Sequence, residues 1–252
     1  MRVALVQFDI VWQDSAANLT ALDGLLPAGC DLIVLPEMFH CGFSMNVDEV
    51  AQHEGGEVLT WMKQSAARLN CCLAGSVAVR STGGQVLNRL YFVYPNQEVL
   101  FYDKRHLFRM AGEHQVYTPG NQRVVVPVGD WRILLQVCYD LRFPVWSRNR
   151  NDYNLVVYVA NWPVPRRNAW CTLLQARAIE NQCYVLGVNR VGEAEGMAFH
   201  GDTMVVDPKG LIVAETHPNA QQVLIVDLDL DSLNRFREKF PVWLDADPFE
   251  IL

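Results

Sequence analysis

The sequence predicts an α/β fold on three observations. Short apolar runs of strand length, such as DLIVLP and NLVVYVA, show no polar alternation and so need cover on both faces. Segments with apolar residues at helical spacing lie between such runs. Other runs pair across short turn signals, which adds antiparallel pairs to the α/β units.

Taken in order, residues 3–8 form a β-rich run. Ser15 is expected to cap a helix carrying Leu19, Leu22, Leu25 and Leu26. Residues 31–36 then read as an interior strand. Residues 57–69 return to helical spacing through Val58, Trp61, Met62, Ala66 and Leu69. Residues 71–79 and 86–94 read as a hairpin, with Gly83 and Gly84 supplying the positive φ of its turn. Pro95-Asn96 turns the chain into a strand at 98–102. Residues 124–128 and 131–137 form another strand pair, and 154–160 a second buried strand. Asn168 is expected to cap a helix through Leu173, Leu174, Ala178 and Ile179. A strand follows at 183–188, and Asp207-Pro208-Lys209-Gly210 is a type I turn between two more strands. With no linker or internal repeat, the 252 residues are expected to form a single domain.

The bulk numbers narrow the function. Asp and Glu outnumber Lys and Arg by 28 to 21, and no basic run of five occurs, which argues against a nucleic-acid partner. The seven cysteines are odd in number and irregularly spaced. They read as free thiols in a reducing compartment, so cytoplasm is the expected location. The N-terminal run is broken by Gln7 and Asp9 and reads as a strand, not a signal peptide. No apolar stretch reaches the roughly 18 residues that span a bilayer, so no membrane association is expected.

Three polar residues stand at the ends of apolar strands: Glu37 after DLIVLP, Lys104 after LFYD and Cys138 after ILLQV. Such strand ends are where α/β sheets place their sites. Each alone has an ordinary reading: a turn carboxylate, a solvated lysine, a buried thiol. Together they make a complete acyl-transfer set of nucleophile, base and oxyanion donor. A Lys ammonium beside the thiol is expected to favour the thiolate. Neither HExxH nor CxxC is present, so no metal is expected, and no cofactor. Pairing of the thiol with His106, His114 or His200 has no local signature.

The segments LPEMF, YDKRHLF and VCYDLRFP resemble the three catalytic boxes of the nitrilase superfamily of carbon–nitrogen hydrolases, in the same order. The resemblance runs from Val3 to the strands near Val226. It implies a four-layer α-β-β-α sandwich with Glu37 as general base, Lys104 as oxyanion stabiliser and Cys138 as nucleophile. It also implies the Tyr139 backbone N–H as a second oxyanion donor. Glu113, in GEHQVYTPG, matches a further glutamate that orients the lysine and the substrate. The family implies a homodimer, and residues 241–252 look like its C-terminal extension. Val145 is a departure, because many members place an acid after the proline of the cysteine box. That leaves any salt bridge from Arg142 to such an acid in question.

The segments ANWPVPRRNAW and LLQARAIENQCYVLGVNRVG resemble the omega-amidases, which hydrolyse 2-oxoglutaramate and 2-oxosuccinamate. Such substrates carry a carboxylate that suits a bidentate arginine. Arg166 is the first candidate, with Arg167 behind it. Asn161 and Trp162 are expected to line the pocket. Two rival expectations are an N-carbamoyl or other small aliphatic amide hydrolase, and a non-catalytic interaction protein on the same scaffold.

Overall fold

The computed structural model describes residues 1–251. In chain order its strands are β1 (Arg2–Gln7), β2 (Leu32–Val34), β3 (Gln52–His53), β4 (Cys72–Arg80), β5 (Val86–Val93), β6 (Val99–Asp103), β7 (Val125–Val128), β8 (Trp131–Val137), β9 (Leu155–Ala160), β10 (Tyr184–Asn189), β11 (Val191–Ala194), β12 (Met197–His200), β13 (Met204–Val206), β14 (Ile212–Glu215) and β15 (Gln222–Asp227). One sheet runs β15-β1-β2-β4-β5-β6, with β3 also paired to β4. The other runs β14-β13-β10-β9-β8-β7, and β11 and β12 form a separate hairpin.

Side chains distribute between layers with the period of two that a strand imposes. In β1, Val3 and Leu5 join an inter-sheet core, while Ala4 and Val6 pack with the helices Ser15–Leu25 and Glu57–Leu69. In β9, Leu155, Val157 and Val159 enter the same inter-sheet core. Val156, Tyr158 and Ala160 meet Trp170, Leu174 and Ala178 of the helix Arg167–Asn181. The layers therefore run helix, sheet, sheet, helix, the expected four-layer α-β-β-α sandwich. Burial on both faces is why β2 and β9 lack polar alternation.

Strands β1, β2 and β4 are mutually parallel, as are β8, β9 and β10. Strands β5 and β6 return antiparallel, so β6 ends at the same edge as β2. The loops after β2, β6, β8 and β9 carry Glu37, Lys104, Cys138 and Asn161.

The caps differ from expectation. Asp14, not Ser15, caps the first helix, with Oδ1 accepting from the Ala17 N–H at 2.9 Å. Asn168 lies inside the helix Arg167–Asn181, not at its cap. The 3-10 turn Val164–Arg166, with Pro165 fixing its φ, starts the chain turning earlier. The hairpin β11–β12 was not expected at all. Its connecting residues Glu195 (φ 50°) and Gly196 (φ 74°) supply the two positive angles of a type I′ turn.

Candidate active site

Glu37, Lys104 and Glu113 meet in the interior, each with no exposed surface. Lys104 Nζ donates to Glu37 Oε1 at 2.9 Å and to Glu113 Oε1 and Oε2 at 2.9 and 3.0 Å. Asn88, on β5, ties the carboxylates together by donating from Nδ2 to Glu37 Oε1 (2.9 Å) and Glu113 Oε1 (3.3 Å). The other Glu37 oxygen accepts from the Asn161 backbone N–H at 2.8 Å. Glu113 Oε2 accepts from the Phe108 N–H at 2.5 Å. Gly120 lets its loop lie on Lys104: its N–H donates to the Lys104 carbonyl at 2.9 Å, and a Cβ there would stand 2.1 Å from the Asp103 carbonyl oxygen. Asn88 was missed in the sequence, although a lone amide inside the apolar run VLNRLYFV is a signal.

Cys138 leaves β8 with φ 46°, a left-handed angle that a non-glycine residue holds only when its surroundings enforce it. The enforcement comes from Asp140, which is fully buried. Its Oδ2 accepts from the Val137 N–H at 3.0 Å and the Tyr102 hydroxyl at 2.8 Å. Its Oδ1 accepts from the His106 N–H at 3.0 Å and contacts His106 Nδ1 at 2.7 Å. His106 in turn stacks on Phe143 with ring centroids 3.8 Å apart. One carboxylate thus ties the cysteine turn to the loop that carries Lys104. His106 serves this tie, and no hydrogen bond joins it to Cys138. Cys138 and Tyr139 open a 3-10 turn, Cys138–Arg142, whose first N–H groups have no carbonyl behind them within the turn.

The charges set the protonation. Burial alone would lower the Lys104 ammonium, but Glu113 and Glu37 outweigh it, and the group is held above its ordinary value. Burial raises Glu113 and Glu37 adds to the rise, against the pull of Lys104. Cys138 departs from expectation. Burial raises the thiol, and Glu37 and Glu113 raise it further, so the lowering by Lys104 is overcome. The reason is arithmetic: one ammonium faces two carboxylates, and the site as a whole does not favour a resting thiolate.

Cys138 opens on a cavity of about 60 Å³ whose walls include Phe43, Phe108, Tyr139, Asn161, Trp162 and Phe199. Arg142 and Arg166 line it as well. Arg142 lies over the Trp162 ring at 5.2 Å and Arg166 over the Phe108 ring at 5.1 Å. Arg167 does not join them, because it pairs with Asp202 at 2.8 Å. Arg142 makes no salt bridge among the described residues, in keeping with Val145 at the position where an acid was in question. The far wall comes from the unexpected hairpin, through Ala194, Glu195, Met197 and Phe199. Among the described residues no group of three or more His, Cys, Asp or Glu is arranged to hold a metal ion.

The chain belongs to the carbon-nitrogen hydrolase family, whose model matches residues 2–238. It is 49% identical to the omega-amidase YafV of Escherichia coli K12, across 100% of this chain and 98% of that one. It is 32% identical to a 2-oxoglutaramate amidase of Bacillus subtilis, across 96% of each. Among solved structures, a CN-hydrolase superfamily protein of Xanthomonas campestris with an arsenic adduct in its active site matches at TM-score 0.97. It shares 41% identity over 100% of this chain and 99% of that chain.

Proposed function

We propose that this enzyme is an omega-amidase that hydrolyses the terminal amide of 2-oxoglutaramate or 2-oxosuccinamate, giving the 2-oxo dicarboxylate and ammonia. The carrying observation is that Cys138, beside the Lys104–Glu37 pair, opens on a cavity lined by two arginines that form no salt bridge among the described residues. The full-length likeness to the omega-amidase YafV supports the same substrate class.

In this reading the amide carbonyl oxygen sits between the Lys104 ammonium and the Tyr139 N–H. Cys138 Sγ attacks the carbonyl carbon while Glu37 takes the thiol proton, so no free thiolate accumulates. The tetrahedral oxygen is stabilised by both donors, each worth about 3–4 kcal/mol of barrier. Glu37 then protonates the departing nitrogen, the C–N bond breaks, and ammonia leaves a thioester. Glu37 next deprotonates a water that attacks the thioester, and the proton returns to sulfur as the acid is released. Glu113 keeps Lys104 aimed. Arg166 holds the far carboxylate, with Arg142 beside it, between the walls made by Asn161 and Trp162.

The test is ammonia release from 2-oxoglutaramate. Wild type is expected to be active and Cys138→Ala to lose at least about 10⁴-fold; equal rates would end the mechanism. Arg166→Met is expected to lower kcat/KM for this substrate by roughly 10- to 100-fold and to spare a neutral amide of equal length. Equal harm to both would favour a small aliphatic amide hydrolase instead.

Three further features belong to this reading. The enzyme works as a homodimer, supported by exposed Val145, Ile179, Phe240, Trp243 and Leu244. It resides in the cytoplasm, supported by free thiols at all seven cysteines, with fractionation as the check. The chain acts as one domain, in which residues 241–252, of which Leu252 lies outside the described residues, are the extension that reaches the partner.

A further inference from the structure

Asn161 follows β9 and is 6% exposed. Both hydrogen bonds that it donates go to one residue. The backbone N–H reaches Glu37 Oε2 at 2.8 Å, and the side-chain Nδ2 donates to the Glu37 carbonyl oxygen. Exchanging nitrogen and oxygen in this side chain would set two acceptors against each other with no hydrogen between them, so chemistry fixes the orientation. Oδ1 is then left buried with no donor. A buried acceptor without a partner needs an explanation. Asn161 lines the same cavity as Cys138 and Tyr139, so a bound molecule can supply the missing hydrogen.

We propose that Asn161 Oδ1 accepts a hydrogen bond from the substrate carboxamide N–H₂ and thereby selects amides over esters. The inference rests on the amidase reading above. A primary carboxamide placed with its oxygen toward Lys104 and the Tyr139 N–H turns its nitrogen toward Glu37 and Asn161. One N–H goes to Oδ1, which leaves the nitrogen lone pair free to take the proton from Glu37 as the C–N bond breaks. The ammonia that departs keeps its hydrogen bond to Asn161 until it diffuses away. An ester of the same acid brings an oxygen without hydrogen to this place, and Oδ1 stays unsatisfied. Sites built to hydrogen-bond a substrate group reject analogues that lack it.

The experiment compares kcat/KM for 2-oxoglutaramate and for the terminal methyl ester of 2-oxoglutarate, which passes through the same thioester. In Asn161→Ala the freed Glu37 carbonyl lowers both values, and the amide value is expected to fall about 30-fold further than the ester value. A parallel fall for both would mean that Asn161 only holds Glu37, and no fall for either would mean that Oδ1 meets nothing; both overturn the proposal. A second measurement leaves Asn161 intact. In a crystal of Cys138→Ala soaked with 2-oxoglutaramate, the amide nitrogen should lie within about 3.2 Å of Oδ1. An amide nitrogen placed elsewhere overturns the proposal too. Should wild type release no ammonia from 2-oxoglutaramate but hydrolyse another primary amide, the omega-amidase reading falls. The amide-to-ester comparison is then made on that amide and its methyl ester.

Discussion

Lys104 lies between two carboxylates with no exposed surface, and that arrangement governs the thiol beside it. Burial and the two carboxyl groups outweigh the one ammonium, which opposes an anion on sulfur. The inactivation rate of the enzyme with iodoacetamide should therefore still be climbing at pH 9, with no plateau below pH 7. Glu37→Gln removes a group that raises the thiol, so Cys138 should alkylate faster near pH 8 in this variant while hydrolysis is lost. A plateau near neutrality in wild type would mark a stabilised resting thiolate and contradict this account. In the proposed mechanism, proton transfer to Glu37 then belongs to the attack itself, and a thiol held protonated at rest is shielded from stray electrophiles.

At the scale of elements, the loop after β2 carries both Glu37 and the fully buried His40. Burial pushes the His40 imidazole down to about 4, and its Nε2 contacts the Val50 carbonyl at 3.2 Å. The unfolded chain takes up this proton near 6.5, so it binds more protons than the fold between pH 6.5 and 4. Stability from His40 is complete above pH 6.5 and is lost as the pH falls toward 4, by roughly 3 kcal/mol. Urea unfolding at pH 7 and pH 4 should show a smaller acid loss in His40→Gln than in wild type; an equal loss would remove His40 as the cause. The long strands were legible because burial on both faces leaves continuous apolar runs, as in β2 and β9. The hairpin β11–β12 was not, because VGEAEGMAFH mixes Glu, Gly and Ala without alternation and covers only one mouth of the cavity. The tie from Asp140 to Tyr102 and His106 joins positions more than thirty residues apart and has no periodic signature. Glu37, Lys104 and Cys138 could be singled out because each polar side chain follows an apolar strand, whereas Glu113, at the start of a short helix, was marked only by its match to a family motif. Which arginine faces the cavity was open, since only the pairing of Arg167 with Asp202 separates it from Arg166.

For the whole molecule, the exposed apolar side chains concentrate toward the C-terminus, with Phe240, Trp243 and Leu244 all uncovered. Light scattering should give a particle of twice 28.6 kDa. Trp243→Asp combined with Leu244→Asp should shift it to the single-chain mass, whereas a monomeric wild type would refute the dimer. The proposed nucleophile and its proposed proton carrier also hang from different sheets, Cys138 from β8 and Glu37 from β2. A nascent chain that has assembled only one of them owns an ordinary cysteine and an ordinary glutamate. In the proposed mechanism hydrolytic power therefore requires both sheets to be in place, and a half-built polypeptide has no means to attack the amides of its neighbours.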